Sequence, residues 1–221
     1  MSDQTADTVG SGPVVYVLDD DAEVRGALSS LLRSAGHGVQ TFESTEAFLY
    51  GISPTRPSCL LLDIRLGDDD GLEFQNRLKD VDITIPVILM TGHGDIPMTV
   101  RGMKAGAIDF LAKPTDDGAL LAAVDTALAA DAQRRLSRSQ SDTLEQLYAS
   151  LTNREREVMG LVTAGLMNKQ VAGKLGLSEI TVKIHRGHVM RKMQADSLAD
   201  LVRMAELLGG RATDASRYTS V

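Results

Sequence analysis

The chain has 221 residues, 43% hydrophobic and 24% charged, with 30 acidic against 23 basic side chains and a formal charge of −7. That length suits one or two small domains with separate cores, and the composition is that of a globular protein rather than a fibrous or disordered one. No apolar run approaches the roughly 20 residues that a spanning helix needs, residues 1–13 lack the pattern of a secretion signal, and the single cysteine, Cys59, argues against a disulfide framework or a cysteine-based zinc site, so a cytoplasmic protein is expected.

Charge is unevenly divided. Residues 1–130 carry 9 Lys+Arg and 20 Asp+Glu, a net of −11, whereas residues 131–221 carry 14 and 10, a net of +4. An acidic half joined to a basic half fits a cation-binding module coupled to a nucleic-acid-binding one.

Residues 14–18 form a short apolar run, read as a strand, that ends in Asp19, Asp20 and Asp21. Next, Val24, Ala27, Leu28, Leu31, Leu32 and Ala35 recur at a helical period, and Gly36 and Gly38 supply the stop. Residues 39–42 read as a second strand, and Ser44 is placed to cap a short helix through Leu49. The run 59–64 reads as a buried central strand that carries a carboxylate, Asp63, to its end. The acidic triplet 68–70 reads as a solvated loop, followed by a helix around Leu72, Phe74 and Leu78. Residues 86–90 form a fourth strand ending at Thr91, and Pro97 suits the first turn of a helix to about Ala105. Residues 107–112 form a fifth strand ending at Lys113 and Pro114, and a helix from Gly118 to about Ala130 follows.

Five alternations of strand and helix imply right-handed crossovers and an α/β fold, a flavodoxin-like, doubly wound, five-stranded parallel sheet. In such a sheet ligands sit outside the carboxyl ends of the strands. There the chain places acids after the first strand, Asp63 after the third, the Thr91 hydroxyl after the fourth and the Lys113 amine after the fifth. Two carboxylates of the 19–21 run together with Asp63 would repel one another unless a divalent cation sat among them, and hard oxygen ligands suit Mg²⁺. An aspartate can accept a phosphoryl group, Thr91 can donate a hydrogen bond to it, and Lys113 offers a point positive charge. Two other readings fit less well. Dehalogenase-type phosphatases need a second acid two residues after the nucleophile, where this chain has Arg65, and three acids after the first strand would repel a flavin or dinucleotide phosphate. His37, His93, His185 and His188 show no metal-ligand spacing with cysteine.

Residues 14–130 resemble the receiver domain of two-component response regulators. The likeness rests on the acid pair, Asp63, Thr91 with Gly92, and Lys113 with Pro114. Val24 with Arg25, the stretch 91–95, and Asp109 with Phe110 and Leu111 resemble the FixJ-type subfamily in particular. The resemblance implies Mg²⁺ held by Asp19, Asp20, Asp63 and the backbone carbonyl of Arg65. It also implies Thr91 and Lys113 on the phosphoryl group, with Phe110 as the aromatic switch position. Asp21 would be solvated or act indirectly. Gly67 stands where the family usually carries proline, which loosens the loop after Asp63. Thr115 and Asp116 follow Pro114 where the subfamily often has an apolar residue.

Residues 131–150 read as a helical linker with a break near 137–141. Thr152 and Glu155 form a capping box in sequence and start a helix that stops at Gly165. Asn168 is placed to cap a second helix, 169–175, and a three-residue turn, 176–178, leads to a third, 179–193, capped by Ser178. Short helix, glycine turn and longer helix form the helix-turn-helix pattern. The third helix carries Lys183, Arg186, Arg191 and Lys192 against one acid, Glu179, with Val182, Val189 and Met193 expected in the core. A fourth helix, capped by Ser197, runs through Leu208.

Residues 151–208 resemble the small all-α LuxR-type DNA-binding domain of the NarL/FixJ regulators, through 151–155, Asn168 with Lys169, and 181–185. The resemblance implies base contacts from Lys183 and Ile184. Thr181, Arg186, His188, Arg191, Lys192, Asn168 and Lys169 are the further candidates for DNA contact. Gly187 stands where some members have a base-reading lysine. Tails are expected at 1–13 and 209–221.

A phosphorylation-dependent transcriptional regulator, not an enzyme, is therefore expected. Its partners would be a sensor histidine kinase, double-stranded promoter DNA and a second copy of itself when phosphorylated, with no membrane. The runner-up is an interaction protein whose receiver acts as a phosphate sink.

Overall fold

The computed structural model describes residues 12–67, 69–92 and 96–209. The expected tails therefore lie outside the described residues except for Gly12, Pro13 and Gly209, as do Asp68 and residues 93–95. The chain divides into two compact units, 1–135 and 136–221.

The first unit contains β1 (Val14–Leu18), α1 (Ala22–Ser34), β2 (Gly38–Phe42), α2 (Thr45–Gly51), β3 (Ser58–Asp63), the two-residue strands β4 (Arg65–Leu66) and β5 (Asp69–Asp70), α3 (Gly71–Asp80), β6 (Val87–Thr91), α4 (Ile96–Lys104), β7 (Asp109–Ala112) and the start of α5 (Asp117–Ala149). The five longer strands form one parallel sheet in the order β2-β1-β3-β6-β7, which is the flavodoxin-like order. Because side chains alternate across a strand, β3 feeds both faces. Leu60 and Leu62 join Tyr16, Leu18, Phe48, Phe74 and Leu89 on one side. Cys59 and Leu61 join Val15, Val17, Ile88, Leu120 and Val124 on the other. Each such fully buried side chain stabilises the fold by roughly 1.5–3 kcal/mol. Burial of Cys59 pushes its thiol up to about 12, so it packs as a small apolar group.

Two local readings need correction here. The acidic triplet is more than a solvated loop: β4 and β5 pair antiparallel, the Asp69 carboxylate accepts from the Thr45 hydroxyl at 2.6 Å, and Asp70 caps α3 by accepting from the Leu72 N–H. Ser137 and its neighbours do not break the helix; α5 runs for 33 residues without interruption. The polar side chains there are exposed, and the Thr143 hydroxyl is satisfied by donating to the Ser139 carbonyl one turn back, so nothing competes with the helical ladder. Fixing α5 to the sheet is Asp131, fully buried, whose carboxylate accepts from the Ser58 N–H at 3.0 Å and pairs with Arg134 and Arg135.

In the second unit, α6 (Asn153–Thr163), α7 (Asn168–Leu175), α8 (Glu179–Lys192) and α9 (Leu198–Leu207) surround two apolar clusters. Thr152 forms the expected capping box with Glu155, and Ser178 and Ser197 cap α8 and α9. Gly176 ends α7 at φ +64°, a left-handed geometry that glycine adopts without penalty. Asn168 is not the cap of α7. It is the first helical residue; Met167 precedes it, and the Met167 N–H donates to the Gln170 side chain instead. Val182, Val189 and Met193 are buried as expected.

Candidate metal centre and nucleic-acid interface

Parallel packing of β1 against β3 brings two carboxylates to the same edge of the sheet. Asp19 is fully buried directly after β1, and Asp63, 8% exposed, ends β3. Two buried carboxylates require compensation. It comes from Lys113 after β7, whose ammonium donates to Asp19 Oδ2 at 2.6 Å and to Asp63 Oδ2 at 2.7 Å. Burial presses the Lys113 amine downward, but its hydrogen bonds to the two carboxylates outweigh this and hold it above the ordinary lysine value. The remaining oxygens have backbone donors: Asp19 Oδ1 accepts from the Asp21 N–H and Asp63 Oδ1 from the Arg65 N–H.

Asp20 is exposed, yet Asp19, Asp20 and Asp63 each offer an oxygen, and these lie within 4.8 Å of one another. Three hard carboxylate oxygens at that spacing, with a solvent-facing side, fit a small divalent cation that keeps several waters. The Arg65 peptide stands beside this group through its N–H bond to Asp63. Thr91 is buried at the end of β6, one strand from Asp63, and its carbonyl accepts from the Lys113 N–H. Phe110 lies on β7 opposite Leu89 and is partly buried against the first apolar cluster. Asp21 is not part of the carboxylate group: it caps α1, accepting from the Glu23 and Val24 N–H groups.

Two glycines shape the site. Gly67 has φ +58° and donates its N–H to Asp20 Oδ2 at 3.1 Å. Proline could provide neither the angle nor the donor, so the departure from the family pattern is used to hold Asp20. Gly71, which the sequence reading passed over, opens α3 directly against the backbone of Asp63. A Cβ there would fall 2.3 Å from the Asp63 carbonyl oxygen. The signal for it was a lone glycine between an acid run and an apolar helix, too common a pattern to single out.

In the second unit α8 presents Lys183, Ile184 and Arg191 to solvent, Lys169 on α7 is also exposed, and Thr181 is partly buried behind Ser178. Other candidate contacts are engaged within the unit. Arg186 donates to the Asn168 side chain at 3.3 Å. The Lys192 ammonium donates to Glu155 Oε2 at 2.6 Å and to the Ser150 carbonyl, and His188 Nδ1 lies 3.5 Å from Glu155 Oε1. Lys192 and His188 thus also brace the capping box from α8, while their side chains stay 34% and 42% exposed.

Glu155 is 4% exposed. Burial pushes its carboxyl up, but Lys192 and then Thr152 outweigh that and hold it at about 2 against an ordinary 4.5. A depressed pKa contributes stability that is present above pH 4.5 and lost as the pH falls toward 2. Glu155→Gln is expected to destabilise the second unit by about 3 kcal/mol near neutral pH and to flatten its acid dependence between those values. Urea melts at pH 7 and pH 3 would show it; equal losses at both pH values would refute the ionic origin.

Residues 15–125 match the family model described as the response regulator receiver domain, and residues 149–205 match that of bacterial regulatory proteins of the luxR family. Nodulation protein W of Bradyrhizobium diazoefficiens is 53% identical over 196 residues, 89% of this chain and 86% of that protein. Transcriptional regulatory protein FixJ of the same organism is 41% identical, covering 88% and 95%. Among solved structures, the response regulator StyR is similar at a TM-score of 0.82 and 50% identity, over 88% of this chain and 98% of that one.

Proposed function

The chain belongs to the two-component response regulators of the NarL/FixJ family, transcriptional regulators with a receiver and a LuxR-type DNA-binding domain, and we propose that Asp63 is the phosphoacceptor that switches its output. The single observation that supports this is the Lys113 ammonium set between Asp19 and Asp63, with Asp20 close enough to share a cation with both. Asp19, Asp20, Asp63 and the Arg65 carbonyl would hold Mg²⁺. Bound there, the ion would offset the negative charge that develops as a phosphoryl group moves from the histidine of a sensor kinase.

The chain's own groups do the rest. An Asp63 carboxylate oxygen forms the new bond to phosphorus as the kinase histidine leaves. Lys113 exchanges one carboxylate partner for a phosphoryl oxygen, and the Thr91 hydroxyl donates to another. Phe110 turns inward behind Thr91. Phosphorylation adds roughly one to two negative charges and new acceptor oxygens. For a near-complete switch it must favour the active state by roughly 5 kcal/mol. The altered receiver surface would pair two copies, whose α8 helices then meet half-sites about one DNA turn apart. Among the described residues no helix is long and apolar enough to cross a membrane.

The test is light scattering of the full chain with acetyl phosphate and Mg²⁺, alongside capture of duplexes from a random-sequence library. A mass that doubles only with donor and metal, together with tighter DNA capture, is the expected result. Constant mass and unchanged capture would overturn the switch.

A further inference from the structure

The outward stripe of α8 has an unusual composition for a surface that meets polyanionic DNA. Positions 180, 184, 187 and 191 fall within about 60° of one another on a helix of 3.6 residues per turn. They are occupied by Ile180, Ile184, Gly187 and Arg191, opposite the buried Val182, Val189 and Met193. Ile180 is 73% and Ile184 53% exposed. A Cβ added at Gly187 would meet nothing within 4 Å, so the third position of the stripe is bare backbone facing open space. Lys183 beside it and Arg191 beyond it are exposed cations.

Two large apolar side chains held in water on an otherwise basic helix cost free energy that a partner can recover. Flanking cations specify a polyanion, and the apolar pair specifies what on that polyanion is read. In the major groove the large apolar group is the thymine 5-methyl, which cytosine lacks, and the remaining features that distinguish the bases are hydrogen-bond donors and acceptors. The absence of a side chain at Gly187 lets the helix approach closely enough for the isoleucines to reach base edges. Cations farther along the stripe supply phosphate contacts, which position the helix without carrying sequence.

We propose that Ile180 and Ile184 form an apolar reading ridge that selects thymine methyl groups in each half-site, leaving Lys183 as the main polar reader. This rests on the reading of the second unit as a major-groove binder. It goes beyond that reading by adding Ile180 and by naming the chemical feature that is recognised.

The test uses the full chain with acetyl phosphate and Mg²⁺. A duplex selected from a random library is remade with single thymine-to-deoxyuridine replacements, each removing one methyl and no hydrogen-bonding group. At one or more positions per half-site, loss of the methyl is expected to weaken binding about four-fold. Ile180→Ala and Ile184→Ala, both at exposed positions that do not support the core, are expected to bind thymine and uracil duplexes alike. Lys183→Ala is expected to lower affinity while keeping the thymine preference. Sequence-specific binding with no uracil effect at any position would overturn the ridge and leave the DNA-binding reading intact, as would a preference that survives both isoleucine replacements. No sequence-selective capture at all would overturn both.

Discussion

Asp63→Asn is expected to reduce phosphoryl incorporation from acetyl phosphate to background while the receiver stays folded. The amide is not a nucleophile, and of the two carboxylates bonded to Lys113 only Asp63 keeps some exposure to solvent. Asp19 is fully buried, and Asp20 is exposed and tied to Gly67. The fold should tolerate the change, because an asparagine oxygen can still accept from the Arg65 N–H or from Lys113, and one of two crowded negative charges is removed. Phosphate-affinity electrophoresis would read the loss, and circular dichroism the retained fold. Incorporation at the wild-type level in this variant would remove Asp63 from the role assigned to it. Donor-independent DNA binding at full strength would instead detach the output from the receiver.

Asp131→Ala is expected to cost the first unit about 3 kcal/mol, for reasons unrelated to chemistry at the site. Asp131 is a fully buried carboxylate that joins α5 to the start of β3, through the Ser58 N–H, while also holding Arg134 and Arg135. Without it the Ser58 N–H, inside a fully buried residue, loses its acceptor. The two guanidinium groups retain partial access to water and lose less, so Arg135→Ala should cost under about 1 kcal/mol. Urea unfolding would separate the two. An Asp131→Ala protein as stable as wild type would show that apolar packing of α5 alone holds the helix to the sheet.

The sequence announced those features that depend on burial over several residues. Four apolar residues before Asp63 read as a central strand, and strand order then brought the acids of 19–21, Thr91 and Lys113 to the same edge. The capping box at Thr152 and the glycine turn at 176 were equally legible, because each is a local pattern with one physical use. What was hidden depended on partners distant in the chain. Asp69 and Asp70 look like solvated charge until Thr45 is brought near and α3 needs its first N–H groups accepted. Lys192 reads as one more cation on a basic helix, since nothing local reveals that the buried Glu155 lies 37 positions earlier in the chain and within 2.6 Å. Asn168 has a capping side chain one residue too late in the sequence, and the helix started where its backbone did. The serines near 139 suggest a break by their polarity, but helix propensity summed over the whole run outweighs it.

Cys59 has a consequence for how this protein can be observed. It is the only thiol in the chain. It sits fully buried in β3 four residues before Asp63, opposite Val15 of β1, and its thiol is held at about 12. In the folded state it should be silent toward alkylating reagents; it reacts only when the central strand separates from its neighbours. The receiver thus carries a native reporter of its own opening, at the strand that ends in Asp63. Labelling rates taken with and without phosphodonor would give the change that the donor makes in the free energy of opening, without introducing a probe.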